Sequence, residues 1–172
     1  MSTRNTLTSA RHIVVEGPIG VGKTSLARRL GAHLEAQLLL EQPEINPFLS
    51  RFYEDQQRFA LPTRLSFLFE RIDKLRELPQ ADCFNRPVVA DFLLEKDPLF
   101  ALLTLADDEY ALYRKIYALV SPQASTPDLV IYLQARPDTL IARVRKRGLE
   151  MERRIDDAYL TVLAESYMRF FH

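Results

Sequence analysis

The sequence predicts an α/β fold built on a doubly wound parallel sheet. Short apolar runs alternate along the chain with segments in which apolar residues recur at helical spacing, and this alternation is typical of the α/β class. The apolar runs are unbroken rather than interspersed with polar residues, which indicates strands that are covered on both faces and paired in parallel. Four strands are predicted, at 12–16, 37–41, 87–92 and 128–133.

The segments between these strands predict helices. Leu26, Leu30 and Leu34 share one face of the helix that follows the first strand. Proline suits the first turn of a helix, and glycine just past the last turn favours its end. The other helices are predicted at 48–57, from Pro62 onward, over 98–120, from Pro137 to a stop at Gly148, and from Asp156 to the end of the chain.

The bulk composition indicates one globular domain. With 172 residues, of which 47% are apolar, the chain is long enough for a single core. Lys plus Arg and Asp plus Glu both number 23, so the net charge gives no sign of binding to nucleic acid or to an acidic membrane. We expect a flexible tail at 1–11 and one domain over 12–172.

The same features predict a cytoplasmic location. The first residues lack the apolar segment of a signal peptide, and no apolar run approaches the roughly 20 residues that span a bilayer. The single cysteine, Cys83, excludes an internal disulfide, which fits a reducing compartment.

Residues 17–24 read GPIGVGKT and match the phosphate-binding pattern G-x-x-x-x-G-K-[ST]. Glycines let backbone N–H groups turn towards phosphate oxygens, and the helix that follows directs its positive end to the same anion. The match follows a strand and opens a helix, as the pattern requires, so it predicts an ATP-dependent phosphotransferase of the P-loop kinase type. Lys23 is expected on the β- and γ-phosphates and Thr24 on Mg²⁺. The predicted phosphate-binding residues are Gly17, Pro18, Ile19, Gly20, Val21, Gly22, Lys23, Thr24 and Ser25.

A carboxylate follows the third strand. Ligands of open α/β sheets bind beyond the carboxyl ends of the strands, and Asp91 stands at that end. Such a carboxylate can accept the proton of a hydroxyl nucleophile or hold Mg²⁺ through water; the alternative is an aspartate in a surface turn. Asp97 is a second candidate in this region, and the alternative is that it serves as a helix N-cap before Pro98.

Arginines cluster at the end of the predicted helix before Gly148. Arg143 and Arg147 lie four residues apart and share one helix face. Brought over the phosphates by a mobile lid, they would stabilise the charge of the transferred phosphoryl group. The alternative is that basic residues at a helix C-terminus offset its dipole.

Several segments of the chain resemble the deoxynucleoside kinases, and most of all their bacterial deoxyadenosine/deoxyguanosine kinase branch. They are EGPIGVGKTSLA, EQPEINPFLSRFYEDQQRFALP, VVADFLLEKDPLFA, and RVRKRG followed by E…I…AYL, and they occur in the order of the family. The resemblance implies that ATP phosphorylates the 5′-hydroxyl of a deoxynucleoside. It also implies a homodimer built through long helices, for which the segment 98–120 is a candidate.

The resemblance assigns roles to individual positions. Asp91 matches the catalytic base, and Arg143 and Arg147 match the lid arginines, which with Lys23 complete the predicted catalytic set. Tyr53 and Glu152 match the pair that holds the sugar 3′-hydroxyl, while Arg71, Asp97 and the aromatic Phe100 match groups near the base. The implied nucleoside-binding residues are Gln42, Tyr53, Arg64, Arg71, Asp97, Phe100 and Glu152.

Some positions depart from the family pattern. Gln42 stands where the family commonly has a glutamate, a role for which Glu41 or Glu44 is available. Arg64 stands where a glutamine reads the base edge; arginine only donates, which suits guanine O6 and N7 but not the adenine amino group. Phe92 replaces an arginine, Leu149 replaces a further lid arginine, and the fifth strand of the family is expected to be missing.

These departures leave two alternatives to a purine deoxynucleoside kinase. One is a nucleotide-binding protein of the same fold with lost or weakened catalysis. The other is a nucleoside monophosphate kinase, which would need a second phosphate site near Arg58, Arg64 and Arg71.

Overall fold

The sheet has four parallel strands in the order β2-β3-β1-β4. The computed structural model describes residues 9–78, 86–149 and 152–172, so Cys83 and the predicted tail before residue 9 lie outside the described residues. All three strand pairs are parallel, which confirms the predicted α/β fold with its four-stranded sheet. The strands are β1 (His12–Glu16), β2 (Gln37–Leu39), β3 (Val88–Ala90) and β4 (Leu129–Tyr132).

Helices cover both faces of this sheet. Val14 of β1 packs with Leu68 and Ile72 on one face, whereas Ile13 and Val15 pack with the first helix on the other. This alternation arises because successive side chains of a strand point to opposite faces. The helices are α1 (Lys23–His33), α2 (Leu49–Glu54), α3 (Gln56–Arg76), α4 (Asp97–Thr104), α5 (Asp107–Val120), α6 (Pro137–Arg147) and α7 (Asp157–Phe171).

The start of α3 differs from the prediction. Pro62 was expected to open this helix, but it lies inside it. The helix begins at Gln56 because the side chain of Asp55 accepts the N–H of Arg58 over 3.2 Å and caps its first turn.

The helix predicted over 98–120 is two helices, α4 and α5. Leu105 and Ala106 adopt extended backbone between them, with ψ angles of 148° and 160°. The first turn of α5 carries Asp107, Asp108 and Glu109, and such charges stabilise a helix N-terminus. The carboxylate of Glu109 accepts the N–H of Ala106 at 3.4 Å. This acidic run is the sequence signal for the break.

The last residues of the predicted tail pack beside the sheet. Ala10 is buried in the core, and the N–H groups of Arg11 and His12 both donate to Asp128 Oδ2 over 2.8 Å. The end of the predicted tail is thus anchored beside β1. None of the helices in the described part of the chain combines the length and the apolar character that crossing a bilayer requires.

Candidate active site

The predicted phosphate cradle is the loop between β1 and α1. Gly20 and Gly22 have φ angles of 85° and 107°, which residues with a side chain rarely adopt. A β-carbon on Gly20 would also lie 2.9 Å from a methyl carbon of Val144 and 3.0 Å from the carbonyl oxygen of Leu140, both in α6. Glycine at this position therefore allows the cradle to pack closely against α6.

A cavity of about 610 Å³ opens in front of the cradle, and we call it the phosphate cavity. Arg143 reaches it from α6 and donates from Nη1 to the carbonyl oxygen of Val21 over 3.1 Å. A helix N-terminus and guanidinium groups that face one cavity suit a polyphosphate. The predicted residues that line this cavity are Gly20, Val21, Gly22, Lys23, Thr24, Ser25, Arg143 and Arg147.

The first three predicted cradle residues, Gly17, Pro18 and Ile19, do not line the phosphate cavity. The N–H of Gly17 donates to Glu16 Oε1 over 2.8 Å, so it points at a carboxylate. The carbonyl oxygens of Gly17 and Pro18 accept from Lys23 Nζ at 2.7 and 3.4 Å. Ile19 lines a second cavity. The phosphate-facing part of the loop is therefore shorter than the motif.

Lys23 lies between the two cavities, because it is among the residues that line each of them. Burial lowers the pKa of its ammonium group to about 8; the charge of Glu16 opposes this shift and the charge of Lys96 adds to it. A cation at this point is well placed to bind a phosphoryl group that passes from one cavity to the other.

Asp91 follows β3 directly and lies beside the cradle. Its Oδ2 accepts the hydroxyl of Thr24 over 2.5 Å, and its Oδ1 accepts the N–H of Glu41 over 2.7 Å. A hydroxyl and a carboxylate are oxygen ligands that suit Mg²⁺, which takes its remaining ligands from phosphates and water. Among the described residues there is no group of three or more His, Cys, Asp or Glu that could hold a metal without such help.

The second cavity lies between α2, α3, α4 and the start of α7, and we call it the nucleoside cavity. It combines aromatic and apolar walls with a few charged groups, a composition typical of small-molecule sites. The predicted nucleoside-binding residues that line it are Tyr53, Arg64, Arg71, Phe100 and Glu152.

Gln42 is not among the residues that line this cavity. It is exposed, and its carbonyl oxygen accepts the N–H of Ile45 in a 3₁₀ turn. Glu41 lines the cavity instead, because its N–H is fixed by Asp91 at the end of β2. Gln42 therefore does not line the nucleoside cavity as predicted, and the neighbouring Glu41 lines it instead.

Arg71 joins two carboxylates at one end of the cavity. Its Nε donates to Glu41 over 2.7 Å, and its Nη1 donates to Asp97. Burial alone would raise the pKa of Glu41, but the charges of Arg71, Lys96 and Lys23 lower it to about 2. Glu41 is therefore ionised at neutral pH. Asp97 supports Arg71 and does not itself line the cavity.

Arg64 lies among aromatic rings. Its guanidinium carbon is 5.2 Å from the ring centroid of Phe52 and 5.3 Å from that of Phe100, distances at which a cation is attracted to a ring face. Its Nε is buried and has no hydrogen-bond partner within residues 9–78, 86–149 and 152–172. Arg64 thus offers a donor to a ligand in the nucleoside cavity.

An ion pair connects Arg147, one of the two predicted lid arginines, to the nucleoside cavity. Arg147 Nε donates to Glu152 Oε2 over 3.0 Å, so one predicted lid residue holds one predicted sugar-binding residue. Tyr53 lines the same cavity, and burial raises the pKa of its hydroxyl. It is therefore a neutral hydrogen-bonding group at neutral pH.

Sequence reasoning missed five residues that line the nucleoside cavity. They are Pro43, Leu49, Phe67, Lys96 and Tyr159. Lys96 lies in the segment VVADFLLEKDPLFA and Tyr159 in the AYL run, both of which carry the family resemblance. The sequence offers no local signal for Lys96, because it stands between Glu95 and Asp97 in a charged run.

A sequence profile of the deoxynucleoside kinases matches residues 13–172. The chain belongs to the deoxynucleoside kinase family. This deoxynucleoside kinase is 34% identical over 164 residues to the deoxyguanosine kinase of Bacillus subtilis, covering 94% of this chain and 78% of the relative. It is 29% identical over 155 residues to the deoxyadenosine/deoxycytidine kinase of the same organism, covering 86% and 70%.

The fold of this deoxynucleoside kinase is similar to that of the deoxyadenosine kinase of M. mycoides with bound dATP. The TM-score is 0.80 at 26% identity, covering 93% of this chain and 84% of the other. The predicted resemblance, fold and enzyme class are therefore confirmed. The protein phosphorylates a nucleoside to its monophosphate, with ATP as the phosphate donor.

Proposed function

We propose that this enzyme transfers the γ-phosphoryl group of Mg²⁺-bound ATP to the 5′-hydroxyl of a purine deoxynucleoside, with guanine as the preferred base. The observation that carries the proposal is the position of Lys23, which lines both the phosphate cavity and the nucleoside cavity. A phosphoryl group transferred between ligands in these cavities would pass this cation.

On the phosphate side, the residues fit a magnesium nucleotide. The cradle from Gly20 to Ser25 would bind the phosphates, and Arg143 and Arg147 would stabilise the charge of the transferred group. Thr24 and Asp91 would hold Mg²⁺, because their side-chain oxygens lie side by side at the cradle. The ion would supply positive charge between the phosphates.

On the nucleoside side, we assign the proton acceptor to Glu41. It lines the nucleoside cavity, whereas Asp91 does not and is bonded to Thr24. Asp91 then contributes to catalysis through the metal, one of the roles expected for it. Tyr53 and Glu152 would hold the sugar 3′-hydroxyl.

The guanine preference is supported by Arg64. Arg64 lines a cavity in which guanine would present the acceptors O6 and N7 to its donor-only guanidinium group, whereas adenine would present an amino group. Relatives named deoxyguanosine kinase agree with this preference.

A nucleoside monophosphate kinase is less well supported. That activity needs arginines for a second phosphate, yet Arg71 is engaged by Glu41 and Asp97. Arg58 is exposed and does not line the cavity. A protein with lost catalysis is also disfavoured, because Glu41 lies in the cavity from which Gln42 is absent.

We further propose a homodimer that acts in nucleotide salvage in the cytoplasm. Leu102 of α4 and Leu112 and Leu119 of α5 expose 58%, 49% and 75% of their surface. Large exposed apolar side chains that lie together mark an interaction surface. A second copy of this chain packed against α4 and α5 would cover them.

The test is a transfer assay with radiolabelled ATP. The acceptors are the four common deoxynucleosides and their 5′-monophosphates. We expect labelled dGMP to form fastest, then dAMP, with no labelled diphosphate. Diphosphate formation from a monophosphate acceptor would favour the monophosphate kinase, and binding of ATP without any transfer would favour lost catalysis.

A further inference from the structure

Glu16, the last residue of β1, is a fully buried carboxylate beneath the cradle. Its Oε1 accepts the N–H of Gly17 over 2.8 Å and the hydroxyl of Tyr167 over 3.0 Å. Its Oε2 accepts the N–H of Leu93 over 2.8 Å. One side chain therefore joins the cradle, the segment after β3, and α7.

Lys96 is the charged partner of Glu16. Its Nζ lies 3.2 Å from Oε1 and 3.1 Å from Oε2 of that carboxylate, and its side chain is 2% exposed. The ammonium group is also 5.1 Å from the ring centroid of Phe100 and 5.9 Å from that of Tyr167. These contacts fix a cation at the wall of the nucleoside cavity.

Packing alone does not account for this ion pair. Burying two charges is costly even when they pair, and apolar replacement of both partners often leaves a protein equally stable or more so. The three neutral donors around Glu16 need an acceptor but not a charge. The charge of Glu16 is matched to Lys96, and Lys96 lines the cavity together with Lys23 and Glu41.

The position of this cation suggests a use in the reaction. Phosphoryl transfer places negative charge on the transferred group, and fixed positive groups that exclude water stabilise that charge strongly. Lys23 approaches the group from the phosphate cavity as well as the nucleoside cavity. Lys96 lines the nucleoside cavity and not the phosphate cavity, and the monophosphate product remains in the nucleoside cavity after transfer.

On the basis of the kinase activity, we propose that Lys96 contacts the phosphoryl group during and after its transfer, and that Glu16 is the positioning residue that holds Lys96. In this step the 5′-oxygen forms a bond to the γ-phosphorus, and the bond from that phosphorus to the bridging oxygen breaks. The hydroxyl proton passes to Glu41, and Lys96 keeps its own proton throughout. The contact exists in the monophosphate complex and is absent from the nucleoside complex.

The test compares the binding of deoxyguanosine and of dGMP by calorimetry. The proteins are the wild type, Lys96→Met and the double variant Glu16→Gln/Lys96→Met. The double variant removes both charges, while the glutamine oxygen still accepts from Gly17 and Tyr167; the amide nitrogen, which only donates, replaces the acceptor of Leu93. We expect dGMP affinity and kcat to fall about 10- to 100-fold, the range of one charge-assisted hydrogen bond. Deoxyguanosine affinity should stay close to the wild-type value.

The matched control is Lys74→Met. Lys74 is a half-buried lysine whose Nζ lies 2.7 Å from Glu70, and it does not line the nucleoside cavity. This variant should bind both ligands like the wild type.

Three results would overturn the proposal. One is a folded double variant with wild-type dGMP affinity and kcat. The second is a parallel loss of affinity for deoxyguanosine and dGMP, and the third is a double variant that does not fold. Both of these results would assign a purely structural role to the ion pair of Glu16 and Lys96. A wild-type protein that transfers no phosphoryl group would contradict the proposed reaction, while the two affinities would still decide the role of Lys96.

Discussion

At the scale of single residues, two carboxylates near Lys23 have different surroundings. Asp91 is bonded to the hydroxyl of Thr24 at the cradle. Glu41 lines the nucleoside cavity and is held there by Arg71. Although both are acidic groups at the carboxyl end of the sheet, these different partners support the proposed division, in which Asp91 holds a metal ion and Glu41 accepts the proton of the substrate hydroxyl.

This division of roles predicts different kinetics for two isosteric variants. Asp91→Asn should lower kcat while ATP still binds, and should raise the Mg²⁺ concentration needed for half-maximal rate. Glu41→Gln should lower kcat by about 10²–10⁴-fold, the usual range for a general base, with an unchanged Mg²⁺ requirement. Steady-state rates across a magnesium titration measure both effects. Wild-type turnover by Asp91→Asn would remove this residue from the catalytic set.

We expect base preference to depend on Arg64, because this residue lines the nucleoside cavity and its guanidinium group only donates hydrogen bonds. Arg64→Gln supplies a donor and an acceptor, and should raise the ratio of kcat/KM for deoxyadenosine to that for deoxyguanosine by about 10-fold or more, as expected for one or two hydrogen bonds. Arg58→Gln on the same helix is the matched control, because Arg58 is exposed. A wild-type enzyme that prefers deoxyadenosine would contradict the guanine assignment.

The motif residues could be predicted from the sequence, whereas the wall of the nucleoside cavity could be predicted only in part. The spacing of the glycines and Lys23 is specific to a phosphate-binding loop. Gln42 and Glu41 are neighbours, and which of them faces the cavity depends on where β2 ends and on the bond from Glu41 N–H to Asp91. That contact spans fifty residues of sequence, and a local pattern does not contain it.

At the scale of secondary-structure elements, the strands could be predicted because short unbroken apolar runs in an α/β domain are typical of buried parallel strands. The helix boundaries could not be predicted, because capping contacts determine them, whereas proline was the stronger signal in the sequence. Asp55 starts α3 before Pro62. The acidic turn at 107–109 divides a helix that apolar spacing alone would continue.

Strand β1 begins with a buried histidine that should make stability depend on pH. Burial lowers the pKa of His12, although the backbone of Thr126 and the charges of Asp128 and Glu95 oppose the shift. The folded state therefore favours the neutral ring. As pH falls below about 6.5, the value in the unfolded chain, unfolding should become easier by at most about 1.4 kcal/mol per pH unit.

Urea unfolding of His12→Gln over the same pH range measures this contribution. The pH dependence of its free energy of unfolding near pH 6 should be weaker than in the wild type. His33→Gln, at an exposed position of α1, is the control. Asp128 contributes separately, because N–H bonds from His12 and Arg11 lower its pKa, and this stability is lost only in more acidic solution. Parallel curves for the wild type and His12→Gln would contradict the prediction.

At the scale of the whole molecule, the sheet brings together groups that are distant in sequence. β1 supplies the cradle and Glu16, and β3 supplies Asp91 and, beyond it, Lys96. Because these strands are parallel neighbours in the sheet, their carboxyl ends meet at one edge. The ion pair between Arg147 of the phosphate cavity and Glu152 of the nucleoside cavity belongs to the same edge. The two cavities are therefore connected through side chains.

The exposed leucines of α4 and α5 predict that the working unit is a homodimer. Leu112 and Leu119 lie seven residues apart, on one face of α5, and charge on that face should prevent burial against a second copy. Leu112→Lys/Leu119→Lys should therefore convert a dimer into a folded monomer, as measured by light scattering after gel filtration. Val162→Lys is the control, because Val162 is a similarly exposed apolar residue of α7, and it should remain dimeric. A wild-type protein that is monomeric at micromolar concentration would rule out the dimer, and a dimer that survives the double substitution would place its interface on another face.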